Sequence, residues 1–247
     1  MRLTVLGSCG AWPAAGQACS GYLVEHDGFR LAVDLGYAVV PRLLERVPAG
    51  QVDAVFISHG HPDHCADLNP LLRARVLGSD RLPPLPVYAL GGALDGVLAL
   101  DHPGMLDGGY VFHEFTAGRG LDIGPFGVQT WLLPHSVPNA GVRLMAGKRV
   151  LAYTGDSGPS TAVADLARDA DLLLAEASYV DQVPEDSQHT LSSARQQGVQ
   201  ASAAGVSRLL LTHLLPGTDP AAAQAAARHG YDREVGVAIA GTVFDLG

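Results

Sequence analysis

The chain has 247 residues, of which 47% are hydrophobic and 17% charged, and its formal charge is −9. This composition supports a buried core and excludes a disordered or fibrous chain, while the acidic balance opposes attraction to a polyanion, so bulk nucleic acid is not an expected partner. No apolar stretch reaches the roughly 18 to 20 residues that span a bilayer, and the start MRLTVLGSCG reads as a strand and tight turn without a signal-peptide pattern; a cytoplasmic protein with no membrane partner is the expectation.

In chain order, short apolar runs bounded by glycine predict strands at Leu3–Leu6, Gly21–Glu25, Phe29–Asp34, Ala54–Ser58, Val128–Leu133, Val142–Ala146, Val150–Thr154, Leu172–Ala175, Arg208–Thr212 and Val235–Ile239. Longer stretches predict helices at Val39–Arg46, Asp67–Leu77, Thr161–Ala167, Ser192–Ala204 and Pro220–His229, the last on its alanine content alone. The Pro/Gly-rich runs Arg81–Pro86 and Asp101–Gly109 are loop-sized, and no linker divides the chain, so one domain over residues 1–247 is expected. Early strands joined by turns, then strand–helix alternation, predict an α/β sandwich with helices outside. The three cysteines, Cys9, Cys19 and Cys65, have no CxxC spacing and read as reduced thiols.

The chemistry is concentrated in VFISHGHPDHCADL, where an apolar strand runs into His59, His61, Asp63 and His64. Gly60 and Pro62 favour a turn there, which lets the side chains converge instead of alternating between faces. Imidazole with carboxylate suits zinc, or manganese or iron at similar sites. Further polar residues close other strands: Asp34 in FRLAVD, His135 in VQTWLLPH, Asp156 in LAYTGDSG and His213 in RLLLTH.

This ordered set resembles the metallo-β-lactamase fold superfamily, whose HxHxDH signature stands here as His59, His61, Asp63 and His64; the resemblance runs from Leu3 to about Phe244. It implies a four-layer αββα sandwich and two divalent ions, zinc first. His59, His61 and His135 would hold one ion, Asp63, His64 and His213 the other, and Asp156 would bridge them, with Asp34 buttressing the metal loop from behind. A lone His135, without the second histidine of HTPGH-type motifs, is similar to the phosphodiesterase branch that contains ribonuclease Z. So is His189-Thr190-Leu191-Ser192, opening the helix that precedes RLLLTH, which puts His189 at a helix N-terminus; in that branch the histidine contacts the scissile phosphate. Glu176, in EASY, is then the expected carboxylate partner of His189, and Asp63, Glu176 and His189 are the catalytic candidates.

Ribonuclease Z carries a basic arm, usually between the second and third motifs. Here that interval holds only Arg73, Arg75, Arg81 and Arg119 as basic residues, so no arm is expected. The short form, with LGSCG, TGDSG, EASY, HTLS and LLLTH, resembles small bacterial enzymes, notably actinobacterial ones, that hydrolyse 3′,5′-cyclic nucleotides. The expected partner is therefore a small phosphodiester, cyclic AMP first; a tRNA 3′-end endonuclease and a non-catalytic metal-stabilised module are the alternatives, and family analogy implies a homodimer. Trp12, Tyr37 and Tyr179 are candidates to stack on a base, or else packing residues.

Overall fold

In the computed structural model, which describes residues 1–247, the chain opens with a meander of β1 (Arg2–Gly7), β2 (Gly21–His26) and β3 (Phe29–Leu35). Asp27 and Gly28 turn β2 into β3 with φ values of 49° and 83°, the left-handed pair that a two-residue hairpin with right-handed twist demands. Beyond β3 the sheet continues in parallel through β4 (Ala54–Phe56), β5 (Leu85–Leu90) and β6 (Tyr110–Phe115), and β14 (Val243–Asp245) closes its other edge against β1. A second sheet repeats the plan: β7 (Gly120–Ile123), β8 (Phe126–Leu133), β9 (Asn139–Ala146) and β10 (Arg149–Tyr153) run antiparallel, and β11 (Leu172–Glu176), β12 (Arg208–Thr212) and β13 (Glu234–Val237) follow in parallel.

Period-two alternation sorts the side chains into layers. Leu31 and Val33 of β3 and Leu172 and Leu174 of β11 point into the apolar layer between the sheets, with Tyr22, Phe56, Phe126 and Tyr153. Their neighbour Ala32 faces outward against α1 (Val39–Leu44) and α3 (Leu68–Val76), and so does Leu35, because the alternation breaks at Asp34, where φ is 55°. On the far side Leu173 and Ala175 face α5 (Thr161–Ala167), α6 (Ala194–Ala203) and α7 (Pro220–Arg228). The product is a four-layer αββα sandwich, as the resemblance implies.

The structure departs from the sequence reading at several elements. β5, β6, β7 and β14 were not anticipated; Pro83, Pro84 and Pro86 made the β5 region read as loop, yet Pro86 sits inside a strand flanked by β4 and β6. The HxHxDH segment is a single helical turn, α2 (Pro62–Cys65), with Pro62 at its first position, where a missing N–H costs nothing. A short α4 (Asp95–Leu98) follows β5. Finally, α6 starts at Ala194, capped reciprocally by Ser193 and Gln196, so His189 lies in the preceding turn and not at a helix N-terminus.

Candidate metal centre

The polar residues gather where parallel strands end. Asp34 lies within β3, one residue from its end, His59 three residues beyond β4, His135 beyond β8, Asp156 beyond β10, Glu176 at the end of β11 and His213 directly after β12. Parallel strands end on the same edge, so both sheets deliver side chains to one crevice. His59 Nε2 and His135 Nε2 lie 3.1 and 3.0 Å from His61 Nδ1. On the other side, His213 Nε2 is 3.1 Å from Asp63 Oδ2, and His64 Nε2 is 3.6 Å from the same oxygen. Asp156 stands between the groups: its Oδ1 is 3.1 Å from His64, and its Oδ2 is 3.3 Å from His213 and 3.9 Å from both His59 and His135.

These contacts divide the residues into two sets that could each hold a cation, His59–His61–His135–Asp156 and Asp63–His64–Asp156–His213. The donor chemistry fits. Three imidazole nitrogens, two of them about 3 Å from the third, are poor partners for each other, because neutral rings turn lone pairs together, whereas a shared cation satisfies all three. His64 Nε2 and Asp156 Oδ1 are buried and close, yet neither has a hydrogen-bond partner; both address the same space.

The outward nitrogens of His59, His64, His135 and His213 are held. His64 Nδ1 contacts Asp34 Oδ2 at 2.7 Å, and Asp34, with no exposed surface, also accepts from Ser58 N, Ser58 Oγ and Tyr153 OH. His59 Nδ1 meets Ser58 Oγ at 3.1 Å, and His135 Nδ1 donates to the Thr190 carbonyl at 2.9 Å. His213 Nδ1 donates to Ser178 Oγ at 3.0 Å, and that hydroxyl donates on to Glu176 Oε2 at 2.9 Å. Such partners fix ring orientation and strengthen a ligating imidazole. Asn139 ties the halves together, donating to the carbonyls of Thr154 and Asp156, while Ala140 N donates to Ser58 O.

Charge follows burial and neighbours. Burial lowers the pKa of His59, and the other histidines add to the effect; His61 moves the same way. Burial also opposes charge on His64 and His213, but Asp156, joined by Asp34 or Asp63, reverses the balance and raises both. Asp156 resists burial through His213 and His64 and stays well below the usual carboxylate range. Glu176 has no such cation in contact, and burial and Asp156 push it up to about 7.

The geometry revises one sequence expectation. Glu176 does not orient His189: its carboxylate accepts from Ser178 N, Ser178 Oγ and Ser192 N. His189 is exposed, with its side chain free of hydrogen bonds, and its backbone presses on Gly158, where an added Cβ would lie 2.3 Å from its carbonyl oxygen. Sequence reasoning missed Ser58, Asn139, Tyr153, Ser178 and the Ala11 N–H, which donates to Asp63 Oδ2 at 2.9 Å. All but Ala11 are small polar groups or a tyrosine at strand ends, the one signal that pointed toward them.

Comparison with known proteins agrees with this arrangement. A family model described as "Beta-lactamase superfamily domain" matches residues 20–214. The chain is 35% identical over 218 residues to the probable metallo-hydrolase YhfI of Bacillus subtilis, covering 87% of each chain. The crystal structure of B. subtilis YhfI superposes with a TM-score of 0.90 at 32% identity, covering 98% of both chains. A ribonuclease Z of Haloferax volcanii is 27% identical over 294 residues, covering 96% of this chain and 92% of its own. Human tRNase Z, short form, shares the fold along the full length of both chains, with a TM-score of 0.81 at 24% identity. The family model spans most of the chain and the YhfI similarity extends over nearly all of it, and so the chain belongs to the metallo-β-lactamase superfamily and is a metal-dependent hydrolase.

Proposed function

We propose that the two ligand sets hold two divalent ions, zinc first and manganese or iron as alternatives, and that the whole chain acts as one phosphodiesterase on a small diester, 3′,5′-cyclic AMP first. The observation that carries this reading is Asp156, a single buried carboxylate reached from both sets. When bound, such an ion pair supplies Lewis acidity toward phosphoryl oxygens and a water acidified toward neutrality. Asp156 spans both positions, Asp63 closes the second with its Oδ2 fixed by Ala11 N–H, and Asp34 holds His64 from behind. His189, free and exposed next to the residue whose carbonyl holds His135, is the group available to hand a proton to the departing ribose oxygen.

A compact substrate is favoured over RNA by what the interval between His64 and His135 contains. It is spent on α3, β5, α4, β6, β7 and β8: the two helices pack on the outer core through Leu68, Leu71, Leu72 and Val97, and the four strands pair within the two sheets. Of its arginines, Arg73 pairs with Asp101, and Arg75 is buried on the carbonyls of Ala49 and Pro83, which leaves Arg81 and Arg119. The Haloferax alignment runs to 294 positions, more than the 247 residues of this chain, so that relative carries insertions. The ribonuclease Z likeness nevertheless keeps tRNA 3′-end cleavage as the second reading. Metal analysis of the purified protein, with turnover of cyclic AMP, bis(p-nitrophenyl) phosphate and precursor tRNA compared on one preparation, decides. About two ions per chain and fastest turnover of cyclic AMP are expected; faster specific cleavage of the RNA overturns the reading.

A further inference from the structure

Two segments are pressed onto the candidate ligands so closely that only glycine fits. A Cβ on Gly10 would lie 2.5 Å from the His213 carbonyl oxygen and 2.8 Å from its Nδ1, and a Cβ on Gly36 would lie 1.8 Å from the carbonyl oxygen of Asp63. Each segment then presents a large aromatic side chain to solvent: Trp12 is 53% exposed and Tyr37 is 39% exposed. The backbone beneath them is fixed. Trp12 N donates to Gly10 O, Ala11 is held at φ 61° with its N–H on Asp63, and the Tyr37 carbonyl accepts from Cys19 N. Tyr179, the third aromatic candidate, is half-buried, and its backbone is used to dock the start of α6.

What sets Trp12 apart from the other exposed apolar residues is its place: the N–H of Ala11, directly before it, reaches Asp63 Oδ2 at 2.9 Å and His213 Nε2 at 3.3 Å. A rigid ring face with few rotatable bonds, placed at the rim of a phosphoester site, is the arrangement that stacks on a heterocyclic base. Separation in sequence sets the scale: Trp12 is one residue from the N–H that holds Asp63, and Tyr37 is one residue from the glycine pressed against Asp63, so each Cα is within about 4 Å of a contact residue along the chain. A nucleoside phosphate spans that reach with its phosphate on the ligands and its base at the rim.

We propose that Trp12 is a stacking platform for the base, which makes the site selective for nucleoside phosphates over phosphoesters that lack a base. The proposal rests on the phosphodiesterase reading and specifies the substrate class of the same site. Trp12 takes no part in proton transfer; it acts on binding alone.

Equilibrium binding to the metal-loaded protein tests it, with 5′-AMP and ribose 5-phosphate as probes that share the phosphate and sugar and differ in the base. Wild type is expected to bind 5′-AMP more tightly than ribose 5-phosphate. Trp12→Ala should weaken 5′-AMP by about 5- to 150-fold and leave ribose 5-phosphate unchanged, with Trp12→Phe restoring most of the loss. In a Trp131→Phe background, Trp12 is the remaining indole, and its fluorescence should be quenched by 5′-AMP and not by ribose 5-phosphate. Equal affinity for both probes in wild type, or no quenching of Trp12, overturns the platform while the phosphoesterase reading stands. Failure of both probes to bind overturns both.

Discussion

Asp156 and His213 make different demands on the same crevice. Asp156 faces both ligand sets, so Asp156→Ala is expected to lose both ions together, whereas His213→Ala removes a ligand from one set and should leave about one tightly held ion per chain. Elemental analysis after gel filtration reads the difference; two retained ions in Asp156→Ala would show that it bridges nothing. His189 belongs to neither set, so His189→Ala should keep its metal and lose about 10²- to 10⁴-fold in turnover of cyclic AMP, with a smaller loss on bis(p-nitrophenyl) phosphate, whose leaving group needs no proton. Equal losses on both diesters would make His189 a positioning residue. The thiols follow a simpler rule. Burial pushes Cys19 and Cys65 up to about 12, with nearby aspartates adding to it, so the thiolate is scarce at neutral pH. Native protein treated with iodoacetamide at pH 8 should stay unmodified at both positions by mass spectrometry, and become modified once unfolded.

At the scale of elements, α6 shows how a boundary of two residues changes a functional argument. A helix beginning at Ser192 would have brought its N-terminus toward His189; the observed cap at Ser193 ends the helix short of that histidine and leaves it in a turn held by Ser187 and by the Thr190–His135 contact. The cap is strong because Ser193 Oγ accepts from Gln196 N while Gln196 Oε1 accepts from Ser193 N. Ser193→Ala should cost about 0.5–2 kcal/mol, a fall in Tm of about 2–4 °C for each kcal/mol in a chain of this size, measured by thermal melts of the metal-loaded protein. A change in metal content instead would mean that the cap also holds Ser192 N on Glu176.

The assembled molecule has its like-charged and lone-pair-rich groups packed together at one edge, so its stability is tied to what fills that edge. At metal concentrations about 1,000-fold above Kd, each ion adds about 4 kcal/mol, and chelation of two should lower Tm by about 15 to 30 °C. The chelated protein should also respond to pH on both sides of 6.5, the ordinary histidine value. His64 and His213, raised in the fold, contribute stability that is full below 6.5 and is lost as pH rises through their folded values. His59 and His61, lowered in the fold, resist protonation that the unfolded chain accepts, so stability is also lost as pH falls below 6.5. Melts of chelated protein from pH 5 to 8.5 should show a maximum near 6.5, and the maximum should flatten when metal is restored. A monotonic profile would contradict the opposed shifts.

The candidate His and Asp residues at strand ends, most of the strands and the outer helices were legible in the sequence, because each is local: an apolar run ending in His or Asp declares a strand end, and period-two burial declares its faces; their grouping into two sets was what the family resemblance implied. Asp34, for instance, is announced by FRLAVD and is found buried behind His64. Tertiary structure alone decided the rest. β5 runs through Pro86 because its neighbours β4 and β6 supply the sheet around it, a gain in pairing that propensity cannot register. Glu176 turned to Ser178 and Ser192, and so to His213, because the parallel register of β11 with β12 sets Glu176 beside Thr212, one residue before that histidine. Whether Trp12 and Tyr37 pack inside or stand in solvent likewise depended on which surface the two glycine segments pressed against, and contacts across long sequence separations exist only once both sheets have closed on each other.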